Sequence, residues 1–121
     1  MDVLSEWFKL CADPTRLRIL MVLRERSACV CQLCALLSLS QPKVSKHLAR
    51  LKAAGHVKDE RRDKYVYYSF KVPSPLFGIL LDTVANHRAD FDVLRDDKAR
   101  LEQFDFEACL NGQNDGVVFN G

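Results

Sequence analysis

The stretch Leu37–Val57, LSLSQPKVSKHLARLKAAGHV, decides the fold, because it holds a short turn and a helix with clear start and stop signals. Ser40 is a typical N-cap residue, and Pro42 lies in the first turn, where a missing N–H costs nothing. Gly55 follows the last helical residues and suits the left-handed backbone that often ends a helix. The stretch therefore predicts a capped helix between Ser40 and Gly55.

This capped helix has two different faces. At about 100° per residue, Val44, Leu48 and Leu51 lie within about 60° of arc, which predicts a face buried in the core. The opposite side is a basic ridge that consists of Lys43, Lys46, His47 and Arg50. The helix is therefore expected to pack on the core with one face and to present positive charge on the other.

Helices are also expected before this stretch. Residues 4–11 place apolar side chains at the i, i+3, i+4 and i+7 positions of a helix with one buried stripe, formed by Leu4, Trp7, Phe8 and Cys11. Asp13 followed by Pro14 indicates the start of a second helix, which is apolar nearly all round and is expected in the core. A third helix is expected to begin near Cys29–Cys31 and to end around Leu37.

After the capped helix, two β-rich segments, HVKDERR and KYVYYSF, meet at Arg62-Asp63-Lys64 and predict a hairpin, in which Asp63 takes the left-handed turn geometry. Helix, tight turn, helix and basic hairpin follow the order of a winged helix-turn-helix, so the predicted fold is mainly α with a small β-hairpin. Residues 1–90 are expected to form a DNA-binding and dimerisation domain, 91–108 a C-terminal helical extension, and 109–121 a disordered tail.

The composition fits one domain in a reducing compartment. The 121 residues are 48% apolar and 28% charged, and no apolar run approaches the roughly 20 residues of a membrane span. The opening residues are acidic and amphipathic, unlike a basic leader peptide, so a cytoplasmic protein is expected. The five cysteines, an odd number, therefore favour a metal, metalloid or redox role over a disulfide framework.

Positive charge is concentrated around the capped helix and the hairpin. Between Ser40 and Tyr65 eight basic residues stand against three acidic ones, although the formal net charge of the chain is only +2. From Asp90 onward the balance reverses, with three basic and eight acidic residues. Such a basic segment favours a phosphate backbone as partner, but a solvated lysine face gives the same count.

Three cysteines fall within the segment SACVCQLC. Cys31 and Cys34 are three residues apart on the predicted helix, so their sulfurs project from one side and can share one ion. Cys29 must lie on non-helical backbone to join them, or the first turn of the helix must open. Three thiolates suit a soft, three-coordinate centre such as arsenite or antimonite, and the positive helix terminus is expected to favour thiolates. Cys31 and Cys34 are the predicted main ligands and Cys29 a weaker third, whereas Cys11 and Cys109 are expected to be bystanders.

Four segments together resemble the ArsR/SmtB family of bacterial metal-responsive repressors: LCADPTRLRIL, CVCQLC, LSLSQPKVSKHLARLKAAGHV and RRDKYVYYSF. The thiol cluster is similar to that of the arsenic-sensing branch, and the resemblance covers roughly residues 4–81. One departure is Asp63, which stands where many relatives have glycine. The resemblance implies a dimeric winged helix-turn-helix repressor, without a cofactor, that leaves its DNA operator when trivalent arsenic or antimony binds Cys29, Cys31 and Cys34.

DNA contacts are predicted on the capped helix and on the hairpin, because the start of such a helix reaches base edges and a wing contacts phosphates. The predicted base readers are Gln41, Lys43, Ser45, Lys46 and His47, and Arg50 extends the basic ridge. The predicted phosphate contacts are Arg61, Arg62 and Lys64. A two-fold homodimer, expected from the apolar breadth of LFGILLDTVANH and of the first helix, would bind double-stranded DNA at an inverted repeat.

The sequence leaves other functions open. The same cysteines would accept soft divalent ions such as cadmium, lead or zinc, or would sense thiol oxidation without a metal. Zinc-sensing relatives use carboxylate and histidine ligands after the wing, of which His87 and Asp90 supply only half. A dithiol oxidoreductase would use CQLC, but such a motif usually opens a helix in a βαβ unit, and no other catalytic motif is found. An enzyme is therefore not expected.

Overall fold

Seven helices and three short strands make up residues 2–110, the part of the chain that the computed structural model describes. The helices are α1 (Val3–Cys11), α2 (Pro14–Leu23), α3 (Val30–Leu37), α4 (Gln41–Ala53), α5 (Pro75–Asn86), α6 (Asp92–Gln103) and α7 (Phe106–Leu110). The strands are β1 (Ala28–Cys29), β2 (Val57–Arg62) and β3 (Tyr65–Phe70), and a 3-10 turn lies at Arg88–Asp90. None of the described helices is long and apolar enough to cross a membrane.

The predicted helix-turn-helix is confirmed as α3, a three-residue turn and α4. Ser38 ends α3 in the left-handed conformation with φ 56°, which reverses the chain. The Ser40 hydroxyl then accepts a hydrogen bond from the Lys43 N–H at 3.4 Å, as expected for an N-cap. Gly55, with φ 84°, follows α4, and the predicted buried face of this helix is fully inaccessible to solvent.

The predicted hairpin is confirmed as a wing, which is the name we use for β2, β3 and their turn. The strands are antiparallel, Arg62 faces Tyr65 across the turn, and Asp63 takes the left-handed conformation with φ 58°. The sheet also has a third strand that was not predicted, because β1 pairs with β3 and places Cys29 opposite Tyr67. A two-residue strand is too short to show an alternating pattern, so only its pairing reveals it.

The core forms around α2, as predicted, since its residues from Ile19 to Leu23 are all buried. The predicted buried stripe of α1 is wrong in part: Trp7 is buried, but Leu4 and Phe8 are 43% and 57% exposed. The reason is that α1 lies at the margin of the protomer and contacts it through one side, where the Trp7 ring packs edge-on against Phe77 of α5 at 5.4 Å. Leu4 and Phe8 therefore belong to an apolar outer face.

Two helices occupy the region predicted as a C-terminal extension. The α6 helix is attached to α2 by a salt bridge between Arg18 and Asp97 at 2.8 Å. The α7 helix packs against α3 and includes Cys109 and Leu110, which the sequence interpretation assigned to the tail. The remainder of the predicted tail, residues 111–121, lies outside the described residues.

Candidate functional site

The exposed face of α4 carries most of the predicted base readers. Gln41, Ser45 and Lys46 are exposed, and Lys43 is partly exposed beside the N-cap. Arg50 is also exposed, but it lies more than two turns further along the helix. The beginning of α4 thus presents amide, hydroxyl and ammonium groups together, as a helix that reads base edges requires.

The placement of His47 on the basic ridge is wrong. His47 is only 7% exposed, and its ring lies between the N-terminal turn of α2 and α4. Its Nδ1 is 3.4 Å from the Arg16 guanidinium, and its Nε2 is 3.9 Å from the Asp13 carboxylate. Burial lowers the pKa of His47, against the opposing effect of Asp13. His47 therefore holds α4 against α2, and the basic ridge consists of Lys43, Lys46 and Arg50.

The wing tip is basic and exposed, with Arg61, Arg62 and Lys64 all accessible. Arg62 already has partners, because its Nε is 3.1 Å from a Glu60 carboxylate oxygen and its guanidinium lies 4.9 Å above the Tyr67 ring. Arg61 forms no ion pair with any of the described residues. The Lys64 Nζ lies 5.6 Å above the Tyr65 ring, but it has no ion pair among the described residues. Arg61 and Lys64 are consequently better placed than Arg62, which pairs with Glu60, to contact a phosphate.

The cysteine cluster joins a strand to a helix. Cys29 has extended backbone, with φ −92° and ψ 170°, so the expectation that it lies outside the helix is confirmed. Cys31 follows in the first turn of α3, and its Sγ is 3.3 Å from the Sγ of Cys29. Cys34 lies one turn later, and all three line one cleft of about 470 Å³.

The structure changes which of these thiols form the closest pair. The sequence interpretation paired Cys31 with Cys34, but Cys34 is only 2% exposed and Cys31 is exposed. In the described chain, the sulfur–sulfur contacts link Cys31 to Cys29 and to Cys109, at 3.3 and 4.0 Å. Cys29 is thus as well placed as Cys34, because strand pairing with β3 turns it toward the helix.

The expectation that the helix terminus favours thiolates is also wrong. Burial raises the pKa of Cys29 and of Cys34 to about 11, and it raises the pKa of Cys31 as well. Desolvation of a charged sulfur therefore outweighs the favourable field of the α3 N-terminus. At neutral pH the cluster consists of protonated thiols.

The sequence interpretation missed two contacts at the cysteine cluster. Gln32 is 1% exposed, and its side chain accepts a hydrogen bond from the Cys29 N–H at 2.9 Å and donates one to the Phe106 carbonyl at 3.0 Å. Cys109 of α7 lies over Cys31, with its Sγ 3.5 Å from the Cys31 carbonyl oxygen. The Gln32 bond to the Cys29 N–H is a local capping contact at the start of α3. The Gln32 bond to Phe106 and the position of Cys109 leave no local signal, since both depend on α7 folding back onto α3.

No three His, Cys, Asp or Glu side chains in residues 2–110 are arranged as a ready-made metal site. A bound ion therefore requires the cysteines to move. His87 and Asp90 belong to no such group in these residues, and the His87 Nδ1 lies 2.9 Å from the Thr83 carbonyl oxygen at the end of α5. The strand before Cys31 is antiparallel to β3, so CQLC also lacks the parallel βαβ setting of a dithiol oxidoreductase.

Comparison with known proteins agrees with this arrangement. Residues 13–59 match the family model described as bacterial regulatory protein, arsR family. The arsenic resistance transcriptional regulator ArsR1 of Pseudomonas putida is 52% identical over 62 residues, which is 50% of this chain and 48% of that protein. ArsR2 of the same organism is 37% identical over 101 residues, covering 81% of this chain and 85% of its own.

A solved structure extends the likeness to the fold. HlyU from Vibrio cholerae superimposes with a TM-score of 0.63 at 27% identity, over 74% of this chain and 99% of that chain. The two Pseudomonas putida relatives are named as transcriptional regulators, and none of the three proteins is named as an enzyme. With its helix-turn-helix, basic wing and thiol cluster, the chain belongs to the ArsR family of bacterial regulatory proteins.

Proposed function

We propose that the chain is a transcriptional repressor that leaves its DNA operator when trivalent arsenic or antimony, the effector, binds Cys29, Cys31 and Cys34. The observation that supports this most is the shared cleft. The three cysteines line it together with Gln41, the first residue of α4, and Lys64 at the wing tip. An effector held by these thiols lies against both elements expected to contact DNA. The expectation of a cytoplasmic location stays a prediction.

Protonated thiols favour a metalloid over a divalent ion. When arsenite binds, each thiol proton leaves with one arsenite hydroxyl as water, so one As–O bond breaks, one As–S bond forms and arsenic stays trivalent. A divalent cation instead releases one free proton for each thiol that it binds, and these protons compete with the metal. Because burial raises the pKa of the Cys29, Cys31 and Cys34 thiols, the competition penalises zinc or cadmium but not neutral arsenite.

Effector binding is coupled to DNA release through the start of α3. Cys29 is paired with Tyr67 of the wing, whereas Cys31 and Cys34 belong to the helix that precedes the recognition helix α4. Bonding all three sulfurs to one atom has to shift β1 relative to α3, and the shift reaches both DNA-binding elements. A useful switch requires the effector to bind the DNA-free conformation better by about 1 to 3 kcal/mol.

A titration tests this function directly. An operator is first selected from a random DNA library, and release is then followed with arsenite, antimonite, cadmium, lead, zinc and peroxide at two pH values. We expect release by arsenite and antimonite, with little change in potency between the two pH values. Release by a divalent cation alone, weakening at the lower pH by up to about tenfold per pH unit for each proton displaced, would favour a metal sensor. Release only by peroxide would favour a thiol redox sensor.

The wing is expected to contribute phosphate contacts of unequal strength. Arg61→Ala and Lys64→Ala should each weaken binding to any DNA and reduce the salt slope by about one unit. Arg62→Ala should reduce it less, because Arg62 already pairs with Glu60. Fluorescence anisotropy between about 50 and 200 mM salt measures the slope. The control is Arg95→Ala, which removes the same charge from α6, and an equal change in that variant would contradict the assignment.

A homodimer is proposed from the apolar outer face formed by α1 and α5. Its exposed members are Val3, Leu4, Phe8, Leu76 and Ile79, each at least 43% exposed in the protomer. Exposed apolar side chains on two adjacent helices indicate an interface, and a single recognition helix makes too few contacts for specific binding. Sedimentation should show a dimer at micromolar concentration. A monomer with full operator affinity would refute this part of the proposal.

A further inference from the structure

We propose that Cys109 is a further ligand of the effector, so that the C-terminal helix α7 supplies a thiol to a site formed with Cys29 and Cys31. This inference rests on the proposed function and extends it. Cys109 lies 78 residues from Cys31 along the chain, yet its Sγ is 4.0 Å from the Cys31 Sγ. Cys31 is thus the sulfur that both others contact, since the Cys29 Sγ lies 3.3 Å from it.

Each of the two separations is short enough for a shared centre. Two sulfurs that each lie about 2.3 Å from one atom are at most about 4.6 Å apart, and both observed separations are below that limit. Cys31 is exposed and Cys109 is partly exposed, so an effector reaches these sulfurs from solvent. Cys34 is almost fully buried, so solvent reaches it less easily than it reaches Cys31 or Cys109. Cys109 therefore offers the effector an accessible third thiol beside Cys29 and Cys31.

The position of Cys109 is built into the fold. Buried Gln32 connects the Cys29 N–H to the Phe106 carbonyl, so one amide ties the strand end of the cluster to the first residue of α7. The Arg26 guanidinium lies 3.5 Å above the Phe106 ring and so adds a second contact at the first residue of α7. The α7 helix is therefore attached at the cluster by contacts that do not involve the Cys109 sulfur.

The end of α7 also contacts the wing. The Tyr65 hydroxyl donates a hydrogen bond to the Leu110 carbonyl at 3.1 Å, and Tyr65 is the first residue of β3 after the wing turn. Cys109 precedes Leu110 directly. A bond between Cys109 and the effector would pull on this contact, which gives the wing a second connection to the occupied site besides the pairing of Cys29 with Tyr67.

Cysteine footprinting tests this assignment in the unmodified full chain. Iodoacetamide labelling with and without arsenite is quantified for each cysteine by mass spectrometry. We expect arsenite to slow the labelling of Cys31 and Cys109 at least tenfold and to leave Cys11, which is similarly half-buried on α1, unchanged. Equal labelling of Cys109 in both conditions would overturn the inference.

A pair of variants separates this inference from the proposed function. Cys109→Ser should raise the arsenite concentration for half-release about tenfold or more, with unchanged thermal unfolding and operator affinity, whereas Cys11→Ser should behave as the parent. If the parent responds to arsenite and the Cys109→Ser variant has the same half-release concentration, only the role of Cys109 is overturned. A parent that neither binds arsenite nor releases DNA overturns both proposals.

Discussion

Cys31→Ser is expected to produce a repressor that stays on its operator at arsenite concentrations that release the parent protein. Cys31 is the central sulfur, since both Cys29 and Cys109 contact it. Loss of a hydrogen-bond partner of a metal ligand already costs about 10- to 100-fold in affinity, and loss of the central ligand should cost more. We therefore expect the half-release concentration to rise more than about 100-fold.

Operator affinity should change little in Cys31→Ser, because Cys31 is exposed on α3 and serine preserves the helix. Fluorescence anisotropy with labelled operator measures the operator affinity in the absence of arsenite and the half-release concentration when arsenite is added. Cys29→Ser should have an effect of similar size, since strand pairing holds Cys29 at the cluster. Cys11→Ser is the control. An unchanged response in the Cys31→Ser variant would show that the effector binds elsewhere.

Asp97→Ala is expected to cause a large loss of stability, about 3 kcal/mol. Asp97 is 4% exposed and receives two hydrogen bonds from Arg18, at 2.8 and 3.0 Å. The same guanidinium donates to the Leu37 carbonyl at 2.9 Å, at the last residue of α3 before the helix-turn-helix turn. Removing the carboxylate leaves a largely buried cation without its counter-charge, which typically costs about 3 to 5 kcal/mol.

Urea unfolding at equal protein concentration measures this loss, since the stability of the proposed dimer would depend on protein concentration. The matched control is Asp96→Ala on the same helix, where the carboxylate is 63% exposed and pairs only loosely with Arg95 at 3.5 Å. That variant should stay within about 0.5 kcal/mol of the parent. Equal stabilities for the two variants would show that α6 does not support the helix-turn-helix through Arg18.

The cluster shows where prediction from sequence reached its limit. The spacing of Cys29, Cys31 and Cys34 indicated a shared thiol site, and the requirement for non-helical backbone at Cys29 is confirmed. The protonation of the thiols was predicted wrongly, because the helix terminus is visible in the sequence but the burial that opposes it is not. Cys109 was taken for a bystander, because no sequence spacing reveals that α7 returns to α3.

The sequence by itself determined the order of the helix-turn-helix and the wing and the points at which α4 and the wing turn begin and end. Ser40, Gly55 and Asp63 act on the backbone within a few residues, so a cap or a left-handed turn is encoded where it occurs. Only the tertiary structure decided which side chains meet. His47 is buried by Arg16, 31 residues away, and Cys31 gains Cys109 across 78 residues. Such contacts depend on how helices pack, and packing is a property of the whole chain that no local pattern contains.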